Sequence, residues 1–175
     1  VKLIVFVITF YFLSGIFSSC NHSNGSNAIP AQTDKESMIN SHRNFVSAEN
    51  ERIDNYVKRR NWEVIKTGTG LRYLIYERKD SLLPTPKIND IVVVTYKVTL
   101  LNGKVCYEKT ESPEHFRVAK DNVESGLHEG IQFMRPGEKA YFIMPSHLAH
   151  GLIGDLDQIP MNATIVYDLH LHQIQ

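Results

Sequence analysis

Histidines recur at close spacing in two places, His147-Leu-Ala-His150 and His170-Leu-His172. Paired imidazoles are the first residues to test for metal ligation, and two histidines at i and i+2 of a strand share a face. A structural or catalytic zinc needs further ligands, yet neither pair has a clustered set of carboxylates or thiolates beside it. Exposed polar positions on a sheet edge explain both pairs better, so the expectation is no metal and no cofactor. Two cysteines, Cys20 and Cys106, allow at most one disulfide. Cys20 precedes the folded region and Cys106 alternates into a strand pattern, where it reads as a small buried hydrophobe. Tyr96 and Tyr167 fall on the apolar faces of strand patterns, as either core aromatics or the walls of a pocket. Asp168 falls on the opposite, outward face of the last strand, placed to pair with a neighbouring cation.

The elements that position these residues are densest between Gly126 and Asp168. Leu127, Ile131 and Met134 lie at i, i+4 and i+7, one face of a helix, and Ser125 stands where an N-cap belongs. Pro136-Gly137 stops the helix and turns the chain, because proline presets φ and glycine accepts φ > 0. Ala140, Phe142 and Met144 alternate with Lys139, Tyr141 and Ile143, a strand with one buried face that Pro145 ends. The loop to Pro160 mixes turn formers with Leu152, Ile153, Leu156 and Ile159, so it is expected to cover something. Ile165, Tyr167, Leu169 and Leu171 then alternate with Thr164, Val166, Asp168, His170 and His172 as a half-buried strand.

Upstream, Val92, Val94, Tyr96, Val98 and Leu100 form one face of a long strand, and Asn102-Gly103 is a hairpin signal. Val105 to Tyr107 begin the return strand; the charged run Glu108 to His115 suggests a bulge, and Phe116 to Val118 a short strand. Leu71, Tyr73 and Ile75 alternate with Arg72, Leu74 and Tyr76 as an earlier strand. Residues 41–60, with Phe45, Ile53, Tyr56 and Val57 interleaved among charges, form an amphipathic helix.

With 175 residues, 42% of them hydrophobic, the chain holds one modest domain plus appendages. Lys and Arg number 19 and so do Asp and Glu, interspersed without a basic patch, which argues against a nucleic-acid partner. Residues 1–19 carry one cation, Lys2, an apolar run and small residues before Cys20, the pattern of a secretory signal. Phe17-Ser18-Ser19-Cys20 looks like a bacterial lipobox with phenylalanine in the place of the usual leucine. Lipid on Cys20 would anchor the protein to a membrane, each buried methylene contributing about 0.8 kcal/mol. Residues 20–40, rich in Asn, Ser and Gln, read as a flexible tether with a reach on the order of 25 Å.

The helix and turn GLHEGIQFMRPGEK, the corner PSHLAHG, the segment IPMNATIVYD and the strand VVVTYKVTLLNGK together resemble the FK506-binding-protein (FKBP) class of peptidyl-prolyl cis-trans isomerases. The resemblance covers roughly Lys87 to Gln175. It implies an α+β fold, a curved antiparallel sheet wrapped around one short helix, with residues 41–86 as a preceding helix and strand and 87–175 as the isomerase domain. It also implies an enzyme whose clients are proline-containing polypeptides. Such chemistry needs no nucleophile: the planar amide rotates over a barrier of about 20 kcal/mol, and a dry pocket favouring the twisted form accelerates it.

By the same resemblance the catalytic positions are Tyr96, Tyr107, Leu127, His150, Ile159 and Tyr167, with Cys106, Val123 and Glu124 contacting the substrate. Cys106-Tyr107 stands where the family has phenylalanine and aspartate, Leu127 where it has a pocket-floor tryptophan, and His150 where it has a tyrosine donor. His150 is expected to donate through one ring nitrogen. These departures leave a second expectation open, a catalytically weak FKBP-shaped binding module that acts as chaperone or assembly factor. A lipobox, a preceding helix and strand, and Tyr107 in place of the aspartate look similar to the gliding-motility-associated FKBP-like lipoproteins of Bacteroidetes-type bacteria. That likeness implies a membrane lipoprotein of the cell envelope, facing the periplasm or cell surface.

Overall fold

The computed structural model describes residues 31–79 and 82–175; the signal segment and Cys20 lie outside the described residues. Helix α1 runs Ala31–Arg60 and helix α2 Ser125–Ile131. The strands are β1 Ile65–Lys66, β2 Arg72–Glu77, β3 Ile91–Leu100, β4 Val105–Arg117, β5 Lys139–Met144 and β6 Ile165–Ile174. All pair antiparallel in one sheet of order β1-β2-β5-β6-β3-β4, an α+β fold. Helix α1 begins inside the stretch expected to be tether: residues 31–40 are helical, not extended. Good helix formers, Ala31, Gln32, Lys35, Glu36 and Met38, and an acid in the first turn, Asp34, supply the reason.

The compact unit Asn40–Gln175 holds two apolar layers. On one sheet face Val92, Val94, Val98, Ala140, Phe142, Met144, Ile165, Leu169 and Leu171 pack with Leu127 and Ile131 of α2. Period-2 alternation in the strands and the i, i+4 stripe of the helix therefore meet in one core. Gly130 makes the approach of α2 to β5 possible: a Cβ there would stand 2.9 Å from the Phe142 ring. Met134 lies beyond the end of α2 but is fully buried. The turn that follows forms as expected, with Gly137 at φ +85° and the amide of Glu138 donating to the carbonyl of Arg135 at 3.0 Å.

The other sheet face departs from simple alternation. Ile143 and Val166 sit at outward positions in the sequence pattern but are buried, because Ile53 and Tyr56 of α1 cover them. Trp62 joins this layer by stacking on Tyr141 with ring centroids 4.1 Å apart. The Arg60 guanidinium lies 3.5 Å over the Tyr56 ring. Arg72 is buried beneath α1, donating to Asn50 Oδ1 at 2.7 Å, Asp54 Oδ1 at 2.8 Å and the carbonyl of Gly70 at 2.8 Å. Glu49 is also buried, and its carboxyl accepts from the Ser146 amide at 2.8 Å, Ser146 Oγ at 3.2 Å and Thr164 Oγ1 at 2.8 Å. These polar pins attach α1 to the turn at Ser146–Leu148 and to the entry of β6.

Strand β4 carries the expected bulge. Val94 opposes Glu114 while Tyr96 opposes Lys109, so residues 110–113 are looped out of register. Ser125, expected as the N-cap of α2, is instead its first residue; Glu124 occupies the cap without a side-chain bond, and Ser125 Oγ donates to the carbonyl of Leu148 at 3.3 Å. In the loop after β5, expected to cover something, Leu152, Ile153 and Leu156 are 73, 69 and 87% exposed, and of its four apolar residues between 152 and 159 Ile159 alone packs inside.

Candidate functional site

A cavity of about 450 Å³ opens where the concave sheet face, the bulge of β4, the start of α2 and the loop after β5 meet. Its apolar floor is Val94, Phe116, Val123 and Leu127, with Leu127 almost fully buried. Tyr96 from β3 and Tyr167 from β6 form one wall, their rings 5.4 Å apart and tilted by 53°. Both tyrosines are on inward strand positions, so the sheet register sets their spacing. Tyr107 comes from β4, and His150 and Asp155 from the loop.

Seven of the nine expected positions therefore converge: Tyr96, Tyr107, Val123, Glu124, Leu127, His150 and Tyr167 all line the cavity. Ile159 and Cys106 do not. Ile159 is buried in the core, and Cys106 packs against that core with Sγ 3.7 Å from the carbonyl of Gln158. Burial raises the Cys106 thiol above its ordinary value, in keeping with a packing role.

The polar groups of the cavity form three phenol–carboxylate pairs. Tyr96 Oη donates to Glu114 Oε2 at 2.7 Å, Tyr167 Oη to Glu124 Oε1 at 2.9 Å, and Tyr107 Oη to Asp155 Oδ2. Burial is the main reason that Tyr167 and Tyr96 are raised above the ordinary tyrosine value, with the neighbouring carboxylates adding to it. Tyr107 is pushed up to about 12, chiefly by its bond to Asp155. Burial works against ionising Asp155, but the bonds from Tyr107 and from the amides of Asp157 and Ile159 outweigh it and hold the carboxyl down at about 2. Asp155 and Glu114 were not foreseen: neither carries a motif, and only the loop conformation and the β4 bulge bring them to the cavity.

His150 has its partner inside the wall. Its Nε2 lies 3.0 Å from Glu124 Oε1, so with a carboxylate at 124 that nitrogen bears the proton and donates to Glu124. A neutral imidazole has one N–H, and its Nδ1 is then an acceptor. His150 thus holds Glu124 rather than presenting a free donor to a client. Asp168, expected to pair with a cation, accepts from Tyr76 Oη at 2.6 Å on the other sheet face. The His170 and His172 rings lie 4.0 Å apart, and His172 Nε2 is 2.8 Å from Thr95 Oγ1. Among the described residues no three histidine, cysteine, aspartate or glutamate side chains gather as a metal-binding group.

A family model described as FKBP-type peptidyl-prolyl cis-trans isomerase matches residues 84–172, half of the chain. The chain is 35% identical over 112 residues to the FKBP-type peptidyl-prolyl cis-trans isomerase FkpA of Escherichia coli strain K12, covering 63% of this chain and 40% of that protein. A probable FkpA of Neisseria meningitidis is 34% identical over 108 residues, covering 62% of this chain and 39% of the relative. The chain thus spans about 40% of the length of these curated relatives. Among solved structures, the crystal structure of FkpA from Escherichia coli is similar with a TM-score of 0.63 at 27% identity, covering 99% of this chain and 81% of that chain. A peptidyl-prolyl cis-trans isomerase from Pseudomonas syringae pv. tomato gives 0.65 at 26% identity, covering 76% of this chain and 95% of that one.

Proposed function

The chain belongs to the FKBP-type peptidyl-prolyl cis-trans isomerase family, and from that premise we propose that it catalyses rotation about X-Pro bonds in polypeptide clients. The observation that carries this reading is the cavity itself, a pocket with an apolar floor at Leu127 and Phe116 and an aromatic wall at Tyr96 and Tyr167. A planar amide owes its stiffness to resonance, which gives the C–N bond partial double-bond character and separates charge between oxygen and nitrogen. Twisting removes that separation, so a dry apolar floor favours the twisted form over the planar one. Val123 and Leu127 receive the prolyl ring, while Tyr96 and Tyr167, locked by their bonds to Glu114 and Glu124, keep the wall from collapsing into the space.

The test is an isomerisation assay on a series of proline tetrapeptides with the full chain and with Leu127→Ala and Tyr167→Ala. Acceleration by the native chain, lost in the variants, supports the reading. Background rates for every peptide with a correctly folded protein would refute catalysis.

A second reading, a binding module with little turnover, is favoured by one feature. Leu152, Ile153, Leu156 and Met161 project from the loop beside the cavity, all at least 66% exposed, and would grip an extended apolar segment. Suppression of the aggregation of an unfolded client, abolished by replacing these four side chains with serine, distinguishes this role from catalysis.

For the cellular setting, residues 1–19 act as a lipoprotein signal, Cys20 carries lipid, and the domain stands at the bacterial envelope on a tether, serving secreted proteins or the assembly of a motility apparatus. The lipobox-like Phe17 to Cys20 and the tyrosine at 107 support this. Incorporation of labelled palmitate that persists in Cys20→Ala would refute the anchor. Among the described residues no helix is long and apolar enough to cross a membrane.

A further inference from the structure

The cavity is larger and more charged than a prolyl ring requires. A pyrrolidine is a small apolar group, while about 450 Å³ is within the range that holds a drug-sized molecule. The space therefore has room for a second side chain of the client beside the proline. What it meets is asymmetric: among the described residues Glu114, Glu124 and Asp155 line the space, and no lysine or arginine does. Each of these carboxylates is fixed by a tyrosine hydroxyl of the same wall, which removes the option of rotating away. Glu124 is inward, its side chain 12% exposed and already bonded to His150, whereas Glu114 and Asp155 stand nearer solvent. Lys109, outside the lining, lies 3.4 Å from Glu114 and offsets part of one charge. His115 and His150 are the other titratable side chains in the wall besides the tyrosines. With those imidazoles neutral, a partly enclosed space with a low-dielectric floor keeps a negative potential that focuses on whatever enters.

We propose that this site selects X-Pro segments in which the residue immediately before proline is arginine or lysine, with Asp155 and Glu114 as the specificity-determining residues. The inference rests on reading the cavity as the prolyl site. With the ring on Leu127, the residue before proline is its direct chain neighbour, and a long cationic side chain there has the reach to meet Asp155 or Glu114, which line the same cavity. An apolar side chain at that place would desolvate both carboxylates without offering a donor, and an acidic one would be repelled.

The experiment compares tetrapeptides Ala-Xaa-Pro-Phe with Xaa as Arg, Lys, Leu and Glu, reading kcat/KM with the full chain and, in parallel, affinity by fluorescence anisotropy of labelled peptides. The arginine and lysine peptides are expected to exceed the leucine peptide by roughly three- to tenfold at low salt, and the glutamate peptide to rank last. The advantage shrinks as salt is raised to about 0.5 M, where screening is short-ranged. Asp155→Asn and Glu114→Gln each lower the Arg-to-Leu ratio, and Asp155→Lys turns the preference toward the glutamate peptide. A leucine peptide that equals or beats arginine in both readouts, or an Arg-to-Leu ratio untouched by Asp155→Lys, overturns the charge selection while leaving the prolyl site standing. Should no peptide be accelerated, the order of affinities still decides the matter. No binding of any peptide overturns both readings.

Discussion

Glu124 gathers more of the site than any other single residue, since one carboxyl oxygen receives both the Tyr167 hydroxyl and His150 Nε2. Tyr167→Phe keeps the ring and removes only the hydroxyl, so its cost is that of one hydrogen bond to a carboxylate, about 1.5–3 kcal/mol in urea unfolding. Tyr167→Ala also empties the aromatic wall and is expected to cost about 3–5 kcal/mol. Equal losses for the two would show that the ring contributes nothing beyond its hydroxyl. The tyrosines also set a pH limit. Their folded values are raised, to about 12 for Tyr107, so the folded protein holds protons that the unfolded chain releases above about 10. Stability from these groups is therefore complete below about pH 10 and falls as pH rises above it, through about 12 for Tyr107. Asp155 has the opposite sign: its folded value is depressed, so its contribution is complete above the ordinary aspartate value and is lost as pH falls toward about 2. Absorbance at the tyrosinate band during an alkaline titration, alongside thermal melts, checks the first window. Early tyrosinate formation without unfolding would show that the phenols are not held as described.

At the scale of elements, attachment of α1 to the site-bearing loop rests on Glu49. Glu49→Ala would leave the Ser146 amide and the Thr164 hydroxyl buried without an acceptor, a loss of about 2–4 kcal/mol. Glu49→Gln, which retains one acceptor oxygen, should recover part of it. Comparable stability of all three proteins would mean water takes over the acceptor role. The contact of α2 with β5 is tested by Gly130→Ala, whose added methyl would stand 2.9 Å from the Phe142 ring. Displacement of a fully buried ring should cost about 1–3 kcal/mol, although alanine is the better helix former. Most elements were readable from pattern: β3, β5, β6, the Asn102-Gly103 hairpin and the apolar stripe of α2 all carry the period of the structure they form. What pattern missed has a common cause. Arg72 and Glu49 are charged residues that burial statistics place outside, and Ile143 and Val166 belong to outward strand positions; all four are buried because α1 lies across that face.

At the scale of the whole molecule, the family match begins at residue 84, but the folded unit does not. A fragment starting there would lack β2, leaving β5 as an exposed edge, and would uncover Ile143 and Val166. It is expected to melt at least about 10 °C below a chain starting at residue 40, or to aggregate, given that about 1 kcal/mol moves a domain of this size by several degrees. Matching melting temperatures and monomeric behaviour in both would refute a structural role for α1 and β2.

By itself the sequence determined the alternation and the helical stripe that build the core, and with them the convergence of Tyr96, Leu127 and Tyr167, because side-chain direction in strands and helices follows from backbone period alone. Only the tertiary structure decided that Ile159 and Cys106 pack in the core without lining the cavity, that Asp155 and Glu114 reach it, and that His150 pairs with Glu124. Those outcomes depend on the path of an aperiodic loop and on a bulge, where no repeat in the sequence dictates which way a side chain points.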